Sequence, residues 1–204
     1  MTRSWVMALA LLASACGGSK TARYRPPGTP HVDKAPVMRA HFIDVGQGDA
    51  TLLEFTCGAV LVDTGGEQNG GFDAVVALRE YLDAFFARRT DLGGVLDLVV
   101  LTHPHIDHTR GLPMVLERYQ VKGIIDDGRE QSSGAPQISA MHAWLKQHPE
   151  VRHRDILVSE LERGRGATDD VIDPIRCADV DPEIRALWGS VTVDPGWPPT
   201  PWGK

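Results

Sequence analysis

The apolar stretch Val95–Leu101, VLDLVVL, runs directly into Thr102-His103-Pro104-His105-Ile106-Asp107-His108-Thr109-Arg110-Gly111. A nearly continuous β-branched run of this kind reads as a strand covered on both faces. The polar segment that follows holds three His and one Asp within six residues. With 8 His in 204 residues, such a pattern arises by chance in about 1 of 1,000 chains. In extended backbone, residues two apart point the same way, so His103 and His105 can reach one ion. Asp107 and His108 then fall at a helix start, turned toward a neighbouring position. Imidazole nitrogens with a carboxylate oxygen suit zinc, and manganese or iron nearly as well. The plainer reading is a polar strand-to-helix loop in which Asp107 caps the helix. One histidine would fit that reading; four ligand-type residues after a buried strand favour a metal.

The neighbouring sequence predicts an α/β layered domain. Met38–Val45, Ala50–Phe55 and Ala59–Val62 read as three strands joined by the turns Gly46-Gln47-Gly48-Asp49 and Cys57-Gly58. Phe72, Val75, Val76, Leu78, Leu82, Phe85 and Phe86 then recur at helical spacing as far as Arg89. A second helix is expected from about His108 to Tyr119, with Pro113 in its tolerant first turn. The strand Val121–Ile125 follows, then a third helix carrying Ile138, Met141, Trp144 and Leu145 and ending near Pro149. Residues 150–180 carry no clear period, and 183–193 read as a strand. The last ten residues hold four prolines and read as irregular.

The N-terminus reads as an address. Arg3 precedes the short apolar run Val6–Ala15, which is followed by Cys16 and by Gly17, Gly18 and Ser19. A basic start, a core too short to span a bilayer and a small-residue exit form a secretory signal pattern. The segment LLASAC resembles the lipobox of bacterial lipoproteins, which implies lipidation at Cys16. The expected organisation is therefore a signal peptide over 1–15, a lipidated Cys16 with a flexible linker over 16–36, and a folded domain over 37–204. The implied location is the bacterial cell envelope, at the outer membrane or periplasmic face. Export into an oxidising compartment allows Cys57 and Cys177 to pair; two separate small core residues are the equal alternative.

Composition narrows the partners. The formal net charge of −6 argues against a broad basic surface for non-specific nucleic-acid binding. It leaves room for phosphodiester chemistry at one metal site. Three cysteines in 204 residues do not make a disulfide scaffold.

Three elements, HFIDVGQGDATLLEF, VLVDTGG and LTHPHIDHTRGL, together resemble the metallo-β-lactamase fold, and in particular its ComEC-like branch. The resemblance covers about residues 38–125. It implies an αββα sandwich. It also implies that His103 and His105 hold a first zinc, that Asp107 and His108 hold a second, and that Asp107 orients the reacting group. Asp63 matches the aspartate beneath the metal loop that orients it; a turn residue in DTGG is the equal alternative. Asp44 and Asp49 are expected to serve their turn. The family pattern adds a bridging aspartate and a late histidine from a second half, and neither motif is present here. His142, His148 and His153 are expected to be ordinary exposed histidines. The expected fold is thus the first half of the sandwich, truncated before the second.

The implied function is a lipid-anchored metallo-hydrolase, in which a metal-activated hydroxide attacks an ester or phosphodiester of a small-molecule or nucleic-acid substrate. The alternatives are a non-catalytic metal-binding envelope module and an inactive remnant. Oligomeric state is not fixed by the sequence.

Overall fold

The computed structural model describes residues 37–161, 165–187 and 189–190. The signal segment, Cys16, the linker to residue 36 and the Pro-rich last ten residues lie outside them. Strands β1 (Met38–Phe42), β2 (Thr51–Phe55) and β3 (Ala59–Val62) form an antiparallel meander. The chain then passes through α1 (Ala74–Arg88) and a short strand β4 (Val95–Leu96) into β5 (Leu98–Val100). Two short helices, α2 (Ile106–Thr109) and α3 (Leu112–Arg118), lead to β6 (Gln120–Val121) and β7 (Gly123–Asp126). Helix α4 (Ala135–Leu145) returns the chain to β8 (Arg152–Asp155). The main sheet has the order β1-β2-β3-β5-β7-β8, and β4 pairs with β6 in a separate two-stranded sheet. From β3 onward the pairings in the main sheet are parallel, as helical crossovers require.

Alternation along the strands sends side chains to two cores. Leu52, Leu61, Val99 and Ile124 lie in one row across the sheet. They pack with Leu78, Leu82 and Phe85 of α1, Leu112 and Val115 of α3, and Ile138 and Met141 of α4. All the long helices therefore cover this face. The opposite face presents Val60, Leu98 and Ile125, which pack against Ile156, Ile172, Ile175 and Cys177. Cys57 and Cys177 form a disulfide with Cα atoms 5.4 Å apart, tying the β2–β3 turn to this covering segment.

Several boundaries differ from the sequence expectation for local reasons. The first strand ends at Phe42, because the Asp44 carboxylate accepts from Gly46 N–H and starts the turn early. The run Val95–Leu101 is split at Asp97. Its buried carboxylate accepts from Ala59 N–H at 3.0 Å and from Lys122 Nζ at 2.7 Å, and the two halves join different sheets. The expected second helix is two helices broken around Arg110-Gly111. Within 183–193, the described residues make isolated bridges at Ala186 and Ser190 and no strand. Conversely, β8 (RHRD) lacks apolar alternation but pairs with β7 over four residues. Asp73 caps α1 by accepting from Val75 and Val76 N–H. No described helix is long and apolar enough to cross a membrane.

Candidate metal centre

The His-rich segment sits at the C-terminal end of β5, in the loop that leads into α2. Leu101 N–H still bonds the Ile125 carbonyl at 2.9 Å, so the sheet holds the loop to its last residue. Beyond it, Asp63 takes over. This side chain is fully buried, at the end of β3. Its carboxylate accepts from Thr102 N–H at 2.8 Å and from Thr102 Oγ1 at 2.6 Å, and its Oδ2 lies 2.7 Å from His108 Nδ1. Asp63 itself adopts φ 55, a left-handed conformation that Asp tolerates better than most residues. Burial pushes its carboxyl above the usual carboxylate range, against the hydrogen bonds from Thr102 and His108.

The histidines gather above this anchor. The His103 ring centroid is 4.7 Å from that of His105 and 4.0 Å from that of His108. Asp107 Oδ2 lies 3.8 Å from His108 Nε2. His103 Nδ1 is 3.1 Å from Thr102 Oγ1. Burial, and then the neighbouring His108 and His105, hold the His103 imidazole below its ordinary pKa. That direction favours the neutral ring, the form that ligates metals. His103 is thus a ring neighbour of His105 and of His108, Asp107 adjoins His108, and Asp63 lies directly beneath; their ligand atoms are less closely gathered than those of Asp126, His142 and His153.

The Gly-rich turns seat this loop. A Cβ on Gly48, which has φ +99, would lie 1.7 Å from the Asp107 carbonyl oxygen. A Cβ on Gly66 would lie 2.1 Å from Asp107 Cα. Thr64 N–H and Oγ1 both donate to the His108 carbonyl, at 2.8 and 3.0 Å. The GQGD and DTGG turns are therefore the floor on which the ligand backbone rests. Asp49 belongs to the same floor: its carbonyl accepts from Gly65 N–H at 2.7 Å.

A cavity of about 490 Å³ opens beside the loop, over the sheet face away from the helices. Leu53, Val62, Val100 and Ile125 line its apolar wall, and Thr102, Asp127 and Arg129 line its polar end.

A family model described as "Metallo-beta-lactamase superfamily" matches residues 43–201. The chain belongs to the metallo-beta-lactamase superfamily. Its mixed sheet and one-sided helix layer are this superfamily's α/β architecture, of which the described residues supply one sheet layer and one helix layer. A curated relative, "Recombination protein 2" of Haemophilus influenzae (strain ATCC 51907 / DSM 11121 / KW20 / Rd), is 32% identical over 95 residues. That match takes in 47% of this chain and 11% of the relative, so the chain spans about a tenth of the relative's length. Among solved structures, metallo-beta-lactamase SMB-1 bound to 2-mercaptoethanesulfonate aligns at 20% identity and a TM-score of 0.29, over 42% of this chain and 29% of that one.

The sequence reading takes His142 and His153 as ordinary exposed histidines and does not join Asp126 to them. Asp126, His142 and His153 each offer a ligand atom within 4.8 Å of the others. The signal was hidden because β8 has no strand-like apolar pattern. With β8 in register, Ile124 pairs with His153, which places His153 on the helix face beside Asp126. His148 stands apart from this group, stacked on Trp144 with its Nδ1 3.1 Å from Glu150.

Proposed function

We propose that this protein is a zinc-dependent hydrolase of ester or phosphodiester bonds, exported and anchored to the cell envelope by a lipid on Cys16. The observation that carries the reading is the convergence of His103, His105 and His108 beside Asp107. The donor set fits zinc. His108 Nδ1 faces Asp63 Oδ2, an arrangement that would leave Nε2 to the ion with Asp63 as the outer partner. When bound, zinc supplies Lewis acidity and a nucleophile from water at neutral pH. Manganese or iron would meet the same ligands.

The chain's own residues do the rest. His103 and His105 bind as neutral imidazoles. Asp107 and His108 bind from the start of α2. Thr102 clamps the Asp63 carboxylate, which fixes the His108 ring. The adjoining cavity takes the substrate, with apolar groups along its wall and Arg129, ion-paired with Asp127, at its polar end, where a phosphate oxygen would compete with Asp127 for the guanidinium. The name of the Haemophilus relative, a recombination protein, favours a phosphodiester over other esters. The Cys57–Cys177 disulfide supports an oxidising compartment, as does the leader with Cys16.

The test is direct. The purified full chain is analysed for metal by mass spectrometry and assayed on a chromogenic phosphodiester, a β-lactam and a thioester. Bound zinc with phosphodiester turnover, the turnover lost and the zinc content lowered in H105A, is the expected result. Metal without turnover on any substrate means a non-catalytic metal-binding module. Metal content unchanged in H105A overturns the site.

A further inference from the structure

We propose that Asp126, His142 and His153 form a second metal site, apart from the His103–His108 centre, that takes a borderline divalent transition-metal ion such as zinc. The three residues come from three elements. Asp126 ends β7, His153 lies on β8 and His142 lies on α4. Their ligand atoms all lie within 4.8 Å of one another. Tetrahedral zinc, with bonds near 2.0 to 2.1 Å, holds its ligand atoms about 3.3 Å apart. The His153 Nε2–Asp126 Oδ2 separation is 2.8 Å, so one edge of that tetrahedron is nearly in place. The His142 and His153 rings stand 5.6 Å apart at 67°.

The surroundings are those of a ligand set. Asp126 is 8% exposed, and Gly128 N–H donates to its Oδ1 at 2.6 Å. With Oδ1 so held, Oδ2 meets the His153 imidazole, the role an outer partner plays for a ligating carboxylate. The strand register places His153 in the row of Ile124, at the exposed sheet edge. His142 follows Ile138 by one helical turn and is half-buried. Glu130 Oε1 lies 3.5 Å from His142 Nδ1. Three protein ligands leave a fourth position open toward solvent.

An Asp126–His153 hydrogen bond would alone explain two of the three residues. His142 adds a third ligand-type side chain to that pair, within reach of the same point. Asp126 lies near the root of the first centre, next to Ile125, whose carbonyl accepts from Leu101 N–H, but His142 is set apart from it along the fold. Gly134 N–H touches the Pro104 carbonyl at 2.9 Å, whereas His142 lies eight residues further along α4, about 12 Å of helix rise. A bound ion would join α4 to the edge strand β8.

The experiment uses the full chain stripped with a chelator, then titrated with zinc by calorimetry and with cobalt(II) by visible absorption. The wild type is expected to bind one equivalent more than H142A or H153A, and H105A is expected to keep that equivalent. Equal stoichiometry in the wild type and both variants overturns the proposal. H153A strips Asp126 of its partner and can fail to fold, so H142Q, which leaves that pair intact, is titrated beside it. In the wild type, zinc should move the ring signals of His142 and His153 in the histidine NMR spectrum. Unmoved signals at saturating zinc also overturn the site. Because the H105A variant isolates this equivalent, failure of the hydrolase reading and failure of this site are separately visible.

Discussion

His108 Nδ1 lies 2.7 Å from Asp63 Oδ2, and the same carboxylate holds both the backbone and the hydroxyl of Thr102. One buried group at the end of β3 thus fixes both ends of the ligand loop. Asp63→Asn keeps the volume and removes the charge. Outer partners of ligating histidines contribute about 10- to 100-fold to metal affinity. D63N should therefore weaken zinc binding by that factor, measured by competition with a chromophoric chelator. Affinity equal to wild type would show that Thr64 and the Gly turns suffice to hold His108.

The disulfide joins residues 120 apart in sequence and pins the segment that covers the second core. Closing a loop of that length removes about 4 to 5 kcal/mol of unfolded-state entropy in the chain-entropy model. The double substitution C57S/C177S should lower the midpoint of thermal unfolding clearly, and reductant should do the same to the wild type. Scanning calorimetry with and without reductant measures both. An unchanged midpoint would mean that the apolar contacts of Ile172 and Ile175 hold this segment without the cross-link.

Glu54 is the charged centre of the meander. It is 3% exposed on β2 and is held by Arg88, Arg89 and His41. Burial raises its carboxyl, but the hydrogen bonds from Arg88, Arg89 and His41 outweigh this and bring it to about 2. A folded-state value below the unfolded one means stability that is present above about pH 4.5 and lost as the pH falls toward 2. The difference is roughly 3 kcal/mol. Urea unfolding between pH 6 and pH 2.5 should show that loss in the wild type. E54Q should be less stable at pH 6, and its stability should fall less over the same range. Parallel profiles would place the acid sensitivity elsewhere.

How much of this was readable in the sequence depended on how each residue earns its place. The strand Ala59–Val62 and the helix Ala74–Arg88 were plain because Leu61, Leu78, Leu82 and Phe85 are buried at the periods of their elements. The ligand loop was plain because metal chemistry demands particular residue types at short spacing. The break at Asp97 was not, since a charged residue enters the interior only through partners distant in sequence, Ala59 and Lys122. β8 was hidden because Arg, His, Arg and Asp carry no apolar period; backbone pairing to β7 and polar partners distant in sequence hold it. The Asp126–His142–His153 group was lost with it, because only the parallel register brings His153 beside Asp126.

The contact between Gly66 and Asp107 gives the sharpest test of how the turns support the centre. A Cβ at residue 66 would meet Asp107 Cα at 2.1 Å, Ile106 O at 2.5 Å and Asp107 N at 2.7 Å. All three are backbone atoms, so no side-chain rotation relieves the clash; the start of α2 must move as a unit. Overpacking of this kind costs about 1 to 3 kcal/mol, and the displacement falls on the segment that carries Asp107 and His108. G66A should therefore lose zinc affinity together with stability. Gly70 is the matched control, four residues along the same loop, where a Cβ meets nothing within 4 Å. G70A should bind zinc and unfold as the wild type does. Calorimetric zinc titration of the two variants side by side decides it: if G66A binds as tightly as G70A, the ligand loop is held independently of the turn beneath it.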